Sequence, residues 1–162
     1  MDRIGQALCA TALLMMVGLA GTPTKAQTNS QKPATVVFVC LHGSVKSQMA
    51  AVHFNRIAKE RGLPFVALSR GIEVDAGIPD GIRQGLAAEG LTPVDDTPRP
   101  LVAEEASEAV KVFAFDNVPG DRKGSANIIY WSDVPPATKD YNAARDAIVR
   151  HVEEVVTSLS NK

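Results

Sequence analysis

From residue 35 onward, short apolar runs alternate with stretches whose apolar residues recur every three or four positions. Thr35, Val36, Val37, Phe38 and Val39 form a β-branched run without polar alternation, the pattern of a strand buried on both faces of a parallel sheet. After a loop over residues 40–46, Ser47 heads a segment that places Met49, Ala50, His53, Phe54, Ile57 and Ala58 on one helical face, closed by Gly62. Residues 64–69 predict a second strand. Pro79 opens a helix with Ile82, Leu86 and Ala87 on one face, closed by Gly90. Residues 102–109 predict a short helix with Glu104 and Glu105 in its first turn, where the helix dipole favours carboxylates. Residues 110–115 and 127–131 predict the third and fourth strands, separated by a polar turn over 117–124. A proline-rich loop over 132–139 leads to a long helix over 140–159, with Ala144, Ile148, Val152, Val155 and Val156 facing inward. This alternation predicts the α/β class: one domain over residues 35–160, a four-stranded parallel sheet with helices on both faces. Ligands of such sheets bind beyond the carboxyl ends of the strands, so the loops after strands one and four are read for chemistry.

The residues before this alternation have another pattern. An apolar run over residues 7–20 follows Arg3 and is short for a bilayer span, and Thr24-Lys25-Ala26 offers a small-x-small cleavage site. This layout predicts a secretory signal peptide over residues 1–26 and a polar, flexible lead-in over 27–34. The mature protein is then expected to be exported, periplasmic or secreted, with no stable membrane insertion after cleavage. Of the two cysteines, Cys9 leaves with the leader, so Cys40 has no internal disulfide partner. Such a thiol is either a small buried hydrophobe or a reactive group, and its neighbours must decide. Composition adds one exclusion. With a net charge of -1 and no run of Lys or Arg, the chain lacks the basic stripe of a nucleic-acid binder.

The loop after strand one holds the decisive residues. A strand feeds Cys40; Leu41, His42, Gly43, Ser44 and Val45 follow; then come a cation, Lys46, and a hydroxyl, Ser47, at a helix start. A tight loop ending at a helix N-terminus turns backbone N–H groups toward an anion. Gly43 permits the turn, Lys46 adds a full positive charge, and the Ser47 hydroxyl can donate to the sulfur. A thiolate facing a bound oxyanion is a nucleophile placed for phosphoryl transfer. His42 favours the thiolate if protonated, and is otherwise a solvent-facing loop residue.

The segment VVFVCLHGSVKSQMAA resembles the signature of the low-molecular-weight protein tyrosine phosphatases and the related arsenate reductases, in which an apolar strand precedes Cys-x5-Arg-Ser and an alanine-rich helix. Ser69-Arg70-Gly71 is similar to that family's Ser-Ala-Gly, Gly77-Ile78-Pro79 and residues 86–90 to its next loop and helix, and the order of elements agrees to about residue 157. The resemblance implies a phosphotyrosine phosphatase I-like fold. It also implies hydrolysis of phosphate monoesters, phosphotyrosine among them, through a Cys40 phosphocysteine without metal or cofactor. Substrate contacts then fall to residues 41–46, and the partners are a phosphate monoester or phosphoprotein, or an inorganic oxyanion.

Two departures bear on activity. Lys46 stands where the family has Arg, so a point charge replaces a planar fork, which implies weaker activity. Gly43 stands where the family commonly has a loop-bracing Asn, which predicts a looser cradle. The family also places its general acid, an Asp before Pro, in the loop after strand four. Here that loop reads Trp131-Ser132-Asp133-Val134-Pro135-Pro136, and its carboxylate, Asp133, is two residues from the proline. Asp133 is the candidate acid or else a turn residue, and Tyr130 and Trp131 are candidates for the pocket wall or the core. The alternatives are an inactive module that binds an oxyanion or a partner on the same fold, and an arsenate reductase served by an external thiol, since the mature chain has no resolving cysteine.

Overall fold

The computed structural model describes residues 32–161; the predicted leader lies outside them. Parallel strands β1 (Ala34–Cys40), β2 (Phe65–Gly71), β3 (Lys111–Ala114) and β4 (Ile128–Tyr130) form one sheet in the order β2-β1-β3-β4. Helices α1 (Lys46–Glu60), α2 (Asp80–Ala88), α3 (Ala103–Glu108), α4 (Gly120–Lys123) and α5 (Tyr141–Ser160) complete the chain.

The central strand β1 shows why the alternation was readable. Val36 and Phe38 point to one face and Val37 and Val39 to the other, all at 0% exposure. A strand buried twice cannot carry polar residues on either side. On the first face α1, α2 and α5 cover Val36, Phe38 and Cys40 through Met49, Phe54, Leu86, Ile148 and Val152. On the second, Val37 and Val39 pack with Leu101, Ala106 of α3 and Val118 ahead of α4. Helices therefore lie on both faces, as predicted. Two local readings change. Ala87 is exposed, because α2 needs only Ile82 and Leu86 to seat on the core. The polar turn over 117–124 contains the short helix α4, whose four residues bury nothing and leave no periodic signal.

Tyr130 and Trp131, candidates for the pocket wall or the core, part company. Tyr130 is 48% exposed, and Trp131 is in the core against Phe38, Phe113 and Phe115. Trp131 follows the end of β4, where its backbone N–H donates to Ala114 O at 2.8 Å and its ring continues the aromatic layer above the sheet.

Candidate active site

Cys40 is the last residue of β1, 4% exposed, at the base of a cleft of about 210 Å³ lined also by Leu41, His42, Val45, Lys46, Asp116, Pro136, Ala137 and Thr138. Its Sγ lies 3.0 Å from Ser47 Oγ and accepts the Gly43 N–H at 3.2 Å. Ser69 Oγ lies 2.9 Å from Ser47 Oγ, so a proton given by Ser69 to Ser47 turns the Ser47 proton onto the sulfur. Two donors then converge on Sγ.

The carbonyls of residues 40–43 bond outward. Cys40 O and Leu41 O accept Ile72 N–H at 3.3 and 2.9 Å, Leu41 O also accepts Glu73 N–H at 2.7 Å, and His42 O accepts Asp75 N–H at 3.2 Å. Gly43 O accepts Ser69 Oγ at 3.2 Å and Gln48 Nε2 at 3.4 Å. In a trans peptide the N–H points opposite to the carbonyl, so the N–H groups of residues 41–44 turn the other way. Two of them show it directly: Leu41 N–H donates to Asp116 Oδ2 at 2.9 Å, and Gly43 N–H meets Sγ. Among the described residues His42, Ser44 and Val45 N–H have no protein acceptor. The result is a cradle of donors facing the start of α1, where the helix dipole adds positive potential.

The sequence predicts a loose loop for want of an Asn at Gly43, but the structure supplies other braces. Gly43 has φ +68°, and a Cβ there would lie 2.8 Å from Gly71 N; a Cβ on Gly71 would lie 2.8 Å from Gly43 N. The two backbones touch, and only glycine fits either side. Ser44 is buried and donates to Asp75 Oδ2 at 2.6 Å, so its side chain and Gly43 stand behind the cleft rather than in its wall. His42 lines the cleft, with Nδ1 3.0 Å from Glu73 O and 3.4 Å from Asp75 Oδ1. A carbonyl only accepts, so Nδ1 carries the hydrogen. Lys46 opens α1 with Nζ 4.0 Å from Asp116 Oδ2 and 5.3 Å from the centroid of Phe115.

Asp133 is not brought to this cleft. Its oxygens bond His151 Nε2 at 2.9 Å each, with Arg150 at 3.5 Å, over the middle of α5, and the His151 ring stacks on Trp131. The hydrogen bond from His151 holds its carboxyl below the usual carboxylate value. The part of the β4–α5 loop that reaches the cleft is Pro136, Ala137 and Thr138. The carboxylate in the cleft is Asp116, from the loop after β3; Oδ2 is taken by Leu41 N–H, and among the described residues no hydrogen bond reaches Oδ1. Sequence reasoning missed Asp116, Asp75, Ser69 as a hydroxyl partner and Gln48. For the first three the missing signal is strand order: β2 and β3 flank β1, so the end of β2 and the loops after both strands border the Cys40 loop.

The low molecular weight phosphotyrosine protein phosphatase family model matches residues 35–122, more than half of the chain. The chain belongs to this family. Solved structures agree in fold. YfkJ from Bacillus subtilis is 22% identical with a TM-score of 0.69, over 79% of this chain and 95% of its own. An arsenate reductase from Archaeoglobus fulgidus is 25% identical with a TM-score of 0.61, over 75% and 98%. A protein tyrosine phosphatase from Entamoeba histolytica is 19% identical with a TM-score of 0.66, over 79% and 97%. No curated relative matches the chain. The family match stops before β4, so it carries the Cys40 loop and Asp116 and leaves the loop of Asp133 outside.

Proposed function

We propose that this protein hydrolyses phosphate monoesters, phosphotyrosine or a phosphoprotein among them, through a phosphocysteine at Cys40. The observation that carries the reading is Sγ at the cleft base beside Ser47 Oγ and the Gly43 N–H, in a loop whose residue 40–43 carbonyls bond outward. In this mechanism Sγ forms a bond to phosphorus as the ester P–O bond breaks. The electron pair leaves on the ester oxygen, which takes a proton from Asp116 Oδ1. Water then attacks phosphorus and passes a proton to Asp116, and Sγ departs as thiolate onto the Ser47 hydroxyl. Lys46 and the loop amides hold the transferring oxygens. Asp116 replaces Asp133 in the acid role because it stands in the cleft. The leader expected over residues 1–26 would place this activity in the periplasm or medium; N-terminal sequencing of the mature protein, expected to begin at Gln27, checks that.

The test is hydrolysis of para-nitrophenyl phosphate at pH 5 to 7 beside Cys40→Ser. Turnover that vanishes in the variant supports a thiol phosphatase. No turnover above the variant sinks the enzymatic reading. One observation favours a second reading, an oxyanion- or partner-binding module without turnover: the residues of the β4–α5 loop that reach the cleft include no carboxylate, and the cation is Lys46 rather than Arg. Arsenate reduction ranks lower, because Cys40 is the one free thiol among the described residues and an external thiol would have to complete the cycle.

A further inference from the structure

Gln48 lies in the first turn of α1, outside the cleft wall, at 0% exposure. A buried amide is costly unless bonded, and here both ends are engaged. Val94 N–H can only donate and lies 3.0 Å from Oε1; Gly43 O can only accept and lies 3.4 Å from Nε2. These partners fix which end is oxygen. Val94 is itself held. Its neighbour Asp95 pairs with Arg70 and Arg99, each at 3.3 Å, and Arg70 grips both oxygens of Glu105 at 2.6 Å. A continuous set of polar contacts therefore runs from Arg70 through the loop before α3 to the Cys40 loop.

We infer that Gln48 is a positioning residue that fixes the peptide after Gly43 and so aims the Ser44 N–H into the cradle. The need for it comes from a shared proton. Ser69 Oγ has one hydrogen and two acceptors in reach, Gly43 O at 3.2 Å and Ser47 Oγ at 2.9 Å. When that hydrogen goes to Ser47, so that Ser47 can serve the sulfur, Gly43 O keeps Gln48 alone. Gly43 lacks a side chain to resist rotation and sits at φ +68°. Without the Gln48 amide, the carbonyl can swing into the cradle and present an acceptor where an oxyanion needs a donor. The Nε2 contact is long, but it is out of reach of replacing water. This inference rests on the reading of residues 40–47 as an oxyanion cradle.

The experiment is alkylation of Cys40 by iodoacetamide in the full-length protein between pH 5 and 8, with and without inorganic phosphate. It compares the parent with Gln48→Met, which keeps shape and loses both bonds, and Gln48→Glu, which keeps the acceptor for Val94 and loses the donor. In both variants the phosphate concentration for half-protection is expected to rise about tenfold, the worth of one hydrogen bond to the anion, while circular dichroism stays that of the parent. A folded variant protected like the parent overturns the role of Gln48. A parent that phosphate fails to protect overturns the cradle itself, and no turnover is needed to tell these apart. Should the variants lose their fold, the parent still answers. The Gln48 side-chain amide resonance in a ¹⁵N spectrum is expected to shift on adding phosphate, and an unmoved resonance overturns the inference.

Discussion

Lys46 presents its charge on a single Nζ that already has two neighbours, Asp116 Oδ2 at 4.0 Å and the Phe115 ring at 5.3 Å. An ammonium meets an oxyanion as a point, whereas a guanidinium holds two oxygens in a fixed fork. Lys46→Arg is expected to raise kcat/KM for para-nitrophenyl phosphate roughly 10- to 100-fold, about 1.4–2.7 kcal/mol, short of the ~2.7–4 kcal/mol of a whole preorganised donor because Lys46 already supplies the charge. Parallel kinetics check it, and an unchanged rate would place the limit in the acid or the loop. The two carboxylates separate by leaving group. Asp116→Asn is expected to slow poor-leaving-group aryl phosphates about 10²-fold and to spare the nitrophenyl ester. Asp133→Asn should leave both substrates alone, since its oxygens serve His151. A leaving-group-dependent loss in Asp133→Asn instead would return the acid to that loop. Cys40, Lys46 and Ser47 were legible because one short segment carries them in fixed spacing. Asp116 was not, because 75 residues separate it from Leu41, and no motif surrounds it.

At the scale of elements, the Cys40 loop is shaped by what lies beside β1. β2 runs parallel to it with Cys40 opposite Gly71, and the loop folds back so that Gly43 touches Gly71. A methyl on Gly71 would meet Gly43 N and His42 C at 2.8 Å and Val74 Cγ1 at 2.9 Å. Backbone cannot yield as a side-chain tip can, so Gly71→Ala is expected to cost about 1–3 kcal/mol, read as a lower urea midpoint. It should also weaken phosphate protection of Cys40, since the loop must lift. A variant as stable and as well protected as the parent would show that the contact is not tight in solution. The same geometry decides where the loop after β4 runs. β4 is separated from β1 by β3, so the residues nearest its end, Asp133 included, pack over α5, and only residues 136–138 return to the cleft.

Across the whole molecule, the architecture was legible because doubly buried strands read as short unbroken apolar runs, whereas one-sided helices repeat their apolar positions every 3.6 residues, in an otherwise ordinary composition. One core position broke the pattern without breaking the fold. His53 lies on the inner face of α1 among Ala, Met and Phe, at 0% exposure. Arg56 Nη2 lies 3.3 Å from Nδ1, which must therefore accept, leaving the hydrogen on Nε2; that atom has no hydrogen-bond partner and points to Glu89 Oε2 at 3.7 Å. Glu89, at the end of α2, also takes Tyr141 Oη at 2.8 Å and Arg145 at 3.6 Å from α5. The junction of α1, α2 and α5 thus holds a neutral imidazole. Burial, with Arg56 and Arg145 nearby and against the pull of Glu89, lowers its pKa from the ordinary 6.5. The sign follows: below 6.5 the unfolded chain takes up a proton that the folded chain refuses, so unfolding gains and stability falls as pH drops. The slope from this one group is at most about 1.4 kcal/mol per pH unit. Carboxylates contribute a decline of their own at lower pH, so the measurement is a difference. Urea unfolding of the parent and His53→Gln, which keeps an acceptor for Arg56 but does not titrate, is expected to give stability curves that run together above pH 7.5. Below 6.5 they should separate, with the parent falling faster. Curves that stay parallel from pH 8 to 5 would mean that His53 is protonated as readily in the fold as out of it, through a closed pair with Glu89, and that the three helices meet around a charge rather than a neutral ring.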